Sequence, residues 1–186
     1  MKNLGHSPIR SMGIFLLLNL LMNLFLFVPH SLGGPSSIMI DFSGRPDKSG
    51  VPAGWELKVK EGNAEFKVIT EDEERVLYFK SIDASFSFER PVVVNIDEYP
   101  YIKWKWKAVT LPSSGDFRKK ETNDQALQVL ITFNGRRILS YIWDTNAPEG
   151  SIIDESIGWP ISLKIKVLAV KSGIAELGKI LALPLH

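Results

Sequence analysis

The chain has 186 residues, 45% of them hydrophobic, and its 22 lysines and arginines nearly balance its 21 aspartates and glutamates, for a formal charge of +1. It has no cysteine, which excludes disulfides, thiolate nucleophiles and cysteine-ligated zinc or iron–sulfur centres. Its three histidines are His6, His30 and the terminal His186. A serine–histidine–aspartate triad or a histidine-ligated metal therefore has no support, and we predict no cofactor and no metal. The near-neutral charge gives no reason to expect a nucleic acid partner.

Residues 1–33 have the form of a secretory signal. Lys2 and Arg10 precede the uncharged apolar run 13–28, and small residues follow it at the positions that a signal peptidase reads. We expect cleavage after Gly33, with Gly34 as the alternative. The protein is then periplasmic or secreted.

A permanent membrane anchor facing the periplasm is the alternative interpretation of the same segment. A spanning helix needs about 20 apolar residues. The run 13–28 has only 16 and contains Asn19 and Asn23. We therefore favour a cleaved signal with no stable membrane span afterwards, and we predict that residues 34–186 form one domain.

Beyond the leader, the hydrophobic pattern has a period of two. The clearest case is 101–109, where Trp104 and Trp106 share an apolar face and lysines alternate with them. Asn134-Gly135 is a strong hairpin turn. Only 175–183 resembles a short helical turn. After an apolar run at 38–42, we predict about nine strands, at 55–59, 65–70, 75–80, 85–89, 92–95, 101–109, 125–133, 137–143 and 161–167.

Many short strands separated by turn residues are typical of an antiparallel β-sandwich or jelly roll, so the predicted fold class is all-β. Two predicted loops, 111–124 and 144–160, are longer than the usual connection. Loops of more than about 12 residues inside a compact domain are often functional. These two loops are therefore the first places to look for a site.

An ordered string of short motifs runs through most of residues 38–178. It comprises Ser81-Ile-Asp-Ala-Ser85, Ile102-Lys-Trp-Lys-Trp-Lys107, Leu111-Pro112, Gly115-Asp-Phe-Arg-Lys119, Asn123-Asp124, Tyr141-Ile-Trp143, Pro148-Glu-Gly150 and Lys171-Ser-Gly-Ile-Ala-Glu-Leu-Gly178.

With this string, the chain resembles the bacterial family catalogued as domain of unknown function 3047. The resemblance implies an exported, single-domain β-sandwich whose shape is similar to that of carbohydrate-binding modules. It implies no particular activity. The chain departs from the family's pattern after Lys179, where it ends in 180–186 in place of further strands. We interpret this as a truncated or frame-shifted end, which predicts an open sheet edge and lower stability.

Six side chains are the candidate ligand-binding residues. Carboxylates near a guanidinium can bind sugar hydroxyls, although Arg118 could instead pair with an aspartate and hold the loop. Trp104 and Trp106 are interpreted as core residues, because they lie on the apolar face of their strand. The six candidates are Asp116, Arg118 and Asp124 in the first long loop, Tyr141 and Trp143 near a strand end, and Trp159 in the second long loop.

Three functions are compatible with this pattern. The first hypothesis is non-catalytic binding of a glycan or other polar ligand in the cell envelope. The second is a carbohydrate-active enzyme that uses a pair of carboxylates. The third is an envelope interaction protein without a small ligand. The candidate carboxylates for the second hypothesis are Asp124, Asp144, Asp154 and Glu155.

Overall fold

A computed structural model describes residues 37–158, 160 and 162–185. The chain is all-β, as predicted, with ten strands and a single short 3₁₀ turn among these residues. The predicted signal peptide and its cleavage site lie outside the described residues. No helix in the described part is long and apolar enough to cross a membrane.

The chain divides into two compact units, with the boundary between Val93 and Val94. The prediction of one domain over 34–186 stays a prediction. The first unit contains β1 to β4 and the second contains β5 to β10. The strands are β1 (Glu56–Glu61), β2 (Glu65–Glu71), β3 (Glu74–Lys80), β4 (Ser85–Glu89), β5 (Ile102–Trp106), β6 (Leu127–Phe133), β7 (Arg137–Asp144), β8 (Ile152–Ile157), β9 (Leu163–Ser172) and β10 (Leu181–Leu185).

The first unit consists of two antiparallel ribbons, β1–β4 and β2–β3. The β2–β3 hairpin turns at Asp72 and Glu73, whose φ angles of 48° and 65° are typical of a tight two-residue hairpin. Phenylalanines connect the two ribbons through edge-to-face contacts. The ring centroids of Phe66 and Phe88 lie 4.9 Å apart. This unit is held together by aromatic packing between ribbons.

The second unit is built on a four-stranded sheet in the order β6–β7–β9–β8. The β6–β7 hairpin turns at Asn134-Gly135 with positive φ at both residues, as predicted. The sheet is not purely antiparallel, because β9 runs parallel to β7. The reason lies in the connection: β8 lies at the outer edge, and the chain returns between β8 and β7 as β9.

Both faces of this sheet are covered. On one face, Trp143 packs against the ribbon β5–β10 through Trp106, with 6.0 Å between the ring centroids. On the other face, Ile142 packs against Phe117 of the long loop that precedes β6. Neighbouring residues of β7 therefore belong to two different cores. This second unit has two β layers plus a loop, which agrees with the predicted β-sandwich class.

Three local predictions were wrong. The loop expected at 144–160 contains β8. This strand lies at the edge of the sheet and pairs only with β9, so five of its six residues are exposed and its sequence shows little apolar alternation. Its exposed Asp154 forms an ion pair with Lys166. The helical turn expected at 175–183 consists of turns followed by β10, which pairs with β5. No strand forms at 92–95, where Val93 is fully exposed, since strand propensity without a pairing partner does not make a strand.

Candidate functional site

The candidate site lies where the end of β7 meets the long loop at 111–124. Asp144, the last residue of β7, is completely buried. Its Oδ2 accepts a hydrogen bond from the backbone N–H of Phe117 at 2.9 Å. Its Oδ1 accepts from the N–H groups of Asn146 at 2.9 Å and Ala147 at 2.8 Å. One carboxylate thus joins the strand, the turn that follows it and a loop 27 residues earlier in the chain.

The packing of Phe117 reinforces this junction. Its ring is buried against Ile142 and Ala147, on the same face of β7 as Asp144. The backbone N–H of Phe117 points at the carboxylate while its side chain fills the core. A buried N–H needs an acceptor, and Asp144 supplies it. The loop is therefore anchored to this sheet face at Phe117 by two kinds of contact.

Asp116 and Arg118 form a tight ion pair beside this junction. The guanidinium donates from Nε to Oδ1 and from Nη2 to Oδ2 of Asp116, each at 2.8 Å. The backbone N–H of Arg118 also donates to Oδ1, at 3.2 Å. The Asp116 side chain is 4% exposed, whereas that of Arg118 is 41% exposed. The alternative in which Arg118 pairs with an aspartate and holds the loop is the observed arrangement.

This pairing changes the acid–base properties of both groups. The hydrogen bond from Arg118 is the largest cause that lowers the pKa of Asp116, to about 2, against the opposing effect of burial. The same hydrogen bond raises the pKa of Arg118, and the charge of Asp144 adds to that rise. Asp116 is therefore ionised at all but strongly acidic pH.

Further hydrogen bonds close the loop onto the turn after β7. The backbone N–H and the side-chain amide of Asn146 both donate to the carbonyl of Gly115 at 3.0 Å. The hydroxyl of Thr145 donates to the carbonyl of Pro112 at 2.6 Å. A Cβ on Gly115 would lie 2.4 Å from the carbonyl oxygen of Asp124, so only glycine fits there without a backbone shift. These hydrogen bonds fix the first part of the loop to the turn after β7.

The predicted site residues fall into two groups. Asp116 and Arg118 are paired in the loop. The backbone of Asp124 passes close to Gly115 of the same loop, and the Asp124 side chain is exposed. Tyr141 and Trp143 point to the opposite face of β7, in the core with the β5–β10 ribbon. Trp159 lies outside the described residues.

The two aromatic candidates of β7 are packing residues. Trp143 has no exposed surface, and its indole N–H donates to the carbonyl of Gly173 at 3.1 Å. Tyr141 is half-buried with its ring 5.2 Å from that of Trp104, and burial raises its pKa. A side chain without exposed surface offers no face to a ligand, so Trp143 is not carried into the proposed site. The interpretation of Trp104 and Trp106 as core residues is confirmed.

Sequence reasoning missed the residue at the centre of the junction. The sequence pattern indicates Asp144 only as a candidate catalytic carboxylate, and it indicates no role for Asn146. The run Asp144-Thr145-Asn146 at the end of a strand contains residues whose side chains commonly bond nearby backbone amides. That signal predicts the local turn but not the bond to Phe117. Among the residues that the structure describes, no three His, Cys, Asp or Glu side chains are grouped to hold a metal ion.

The Asp144 junction can be tested with an isosteric substitution. Asp144→Asn places an amide NH₂ against backbone N–H donors whichever way it is turned, so at least one buried donor loses its acceptor. We expect the free energy of unfolding, measured by urea denaturation, to fall by about 1–3 kcal/mol. Asp154→Asn, which removes an exposed ion pair with Lys166, is the control and should change it by less than about 1 kcal/mol. Equal effects of the two variants would contradict the assignment.

The Asp116–Arg118 pair predicts a specific loss of stability in acid. The folded-state pKa of Asp116 is lowered, so its contribution is complete above the ordinary pKa near 3.8 and is lost as the pH falls toward 2. The carboxyl carbon resonance of Asp116 should titrate near pH 2 in NMR spectra. Asp116→Asn should lose less stability than the wild type between pH 4 and pH 2. Titration of Asp116 at its ordinary pKa would refute the pairing.

Comparison with known proteins identifies a family but no characterised relative. The family model described as "Protein of unknown function (DUF3047)" matches residues 53–183, so the chain belongs to this family. The match includes every strand of both units except the last two residues of β10. No curated protein and no solved structure matches the chain.

Proposed function

We propose that this member of the DUF3047 family is a non-catalytic binding protein of the cell envelope, which binds a glycan or other polar ligand on the loop 111–124. The envelope location is a proposal from the signal-like pattern of residues 1–33. The binding role is a proposal from the geometry of the loop. Arg118 is the central contact residue of this proposal.

The observation that carries the proposal is the fixed and half-exposed guanidinium of Arg118. Asp116 holds one edge of the guanidinium with two hydrogen bonds, and 41% of the arginine side chain is exposed. A free arginine loses rotamer entropy when it binds a ligand. Arg118 has already lost most of that freedom through its pairing with Asp116. An arginine oriented in advance is suited to bind polar groups.

The backbone below Arg118 is also fixed in advance. Phe117 is buried, and its N–H is bonded to Asp144. Asn146 holds Gly115 on the other side of the same segment. Binding therefore requires little ordering of the loop, which favours affinity for small polar ligands. Asp124, with its exposed carboxylate, is the second candidate for bonds to sugar hydroxyls.

The enzyme alternative receives less support from the same geometry. The buried carboxylate of Asp144 is fully used by three backbone N–H groups. In the strand register, Asp154 of β8 lies opposite Lys166 of β9, and Asp144 of β7 lies opposite Ser172 of β9. Lys166 and Ser172 are six residues apart along β9. These two carboxylates are therefore roughly 20 Å apart along the strand, at 3.3 Å per residue. Glycosidases that use two carboxylates need them within about 10 Å.

Binding is tested by titrating the protein with a panel of cell-wall oligosaccharides and following backbone amide resonances by NMR. We expect one class of glycan to shift the amide resonances of 115–122. Arg118→Lys keeps the charge but loses the two hydrogen bonds to Asp116, and it should raise the Kd for that glycan by about tenfold.

Lys58→Gln is the control, since it removes the cation of an exposed ion pair that lies in the other unit. It should leave the Kd unchanged. Thermal unfolding of Arg118→Lys confirms that the variant is folded. A panel without any binding, or binding that shifts amides elsewhere and is insensitive to Arg118, would contradict the proposed function.

A further inference from the structure

We propose that the group recognised at Arg118 is an anion, a carboxylate or phosphate carried by the ligand. This inference rests on the proposed function, because it names the ligand chemistry of the same loop. It follows from the different burial of the anionic and cationic side chains at the site, and from the edge of the guanidinium that Asp116 leaves uncovered.

The anionic and cationic groups at the site differ in burial. The carboxylates are buried, because the Asp116 side chain is 4% exposed and Asp144 has no exposed surface. The exposed side chains that contact Asp116 are cations. The side chain of Arg118 is 41% exposed, and that of Lys119 is 67% exposed. A ligand approaching from solvent therefore meets the cations first, and the buried anions lie behind them.

The guanidinium of Arg118 has one covered and one uncovered edge. Its Nε and Nη2 donate to the two oxygens of Asp116, which covers the side-on edge. No bond from Nη1 to a described residue competes with a ligand. Nη1 and the second hydrogen of Nη2 form the end-on edge. That edge has two parallel donors, which match the two oxygens of a carboxylate or phosphate better than a single sugar hydroxyl.

Lys119 adds a second cation to the same place. Its ammonium nitrogen lies 3.6 Å from Oδ2 of Asp116, the oxygen that also accepts from Arg118. This distance is too long for a good hydrogen bond, so the contact leaves the ammonium donors available. Two exposed cations thus lie on one buried carboxylate. Glu121 and Asp124 are exposed carboxylates of the same loop, and they would oppose an anion that extends toward them.

The inference is tested with ligand pairs that differ only in charge. The first pair is trigalacturonic acid and its fully methyl-esterified, neutral form. The second pair is glucose 6-phosphate and glucose. Inorganic phosphate is a separate titration that distinguishes a sugar-borne anion from a free one. Binding is followed by the amide resonances of 115–122 at low and at high salt.

We expect the charged member of at least one pair to bind about tenfold more tightly than its neutral partner, with the difference reduced at high salt. Lys119→Gln should reduce that preference without changing the thermal stability. Lys166→Gln, which removes an exposed lysine of β9, is the control and should not change it. Shifts with inorganic phosphate alone support an anion site and reject a sugar-borne source.

Two results would overturn the inference, and they are distinguishable. If neutral and charged partners shift the same loop amides with equal Kd, the binding function stands and the anion preference is refuted. If neither member of any pair, nor any glycan of the wider panel, nor inorganic phosphate shifts the loop amides, the proposed function fails together with the inference.

Discussion

The site depends on the hydrogen bonds that the carboxylate of Asp144 accepts from the backbone. This carboxylate lies at the end of a central strand, is completely buried, and accepts three backbone hydrogen bonds. A buried charge is costly unless it is fully hydrogen-bonded. Here the cost is offset because the same bonds satisfy three N–H groups of the loop and the turn. Without this group, Phe117 would bury an N–H that has no acceptor.

Strand β7 connects the core to the site, because its successive residues point to opposite faces. Trp143 belongs to the aromatic core with Trp106, and its neighbours Ile142 and Asp144 point to the loop. Any shift of this strand would therefore disturb both layers. This arrangement gives the loop the rigidity of the sheet. The Arg118 guanidinium is held in place by its hydrogen bond to Asp116, which is next to the anchored Phe117 in the chain.

Much of the fold was predictable from local patterns. The alternation around Trp104 and Trp106 predicts β5 and its buried face, and Asn134-Gly135 predicts the β6–β7 hairpin. Both are properties of neighbouring residues. The order β6–β7–β9–β8 was not predictable, because it depends on which distant strand pairs with β9. Edge strand β8 was missed for a related reason, since a strand with five of six residues exposed has little apolar signal.

The site was predictable only in part. The residues Asp116 and Arg118 are two apart, and a charge pair within one loop can be proposed from the sequence. The contact between Asp144 and Phe117 joins residues 27 positions apart, and no periodicity relates them. The burial of Trp143 likewise follows from the β5–β10 ribbon that covers it. Whether a side chain at a strand end is buried or exposed depends on what packs over it, and this is a tertiary property.

Hydrogen exchange at the backbone amide of Phe117 tests this account most directly. If Asp144 holds the loop on the sheet, this amide should exchange as slowly as the amides of β7, although it belongs to a loop. The protection should be lost in Asp144→Asn while the amides of β7 keep most of theirs. Rapid exchange of Phe117 in the wild-type protein would show that the loop opens independently of the sheet. It would contradict a site in which Arg118 is oriented before the ligand binds.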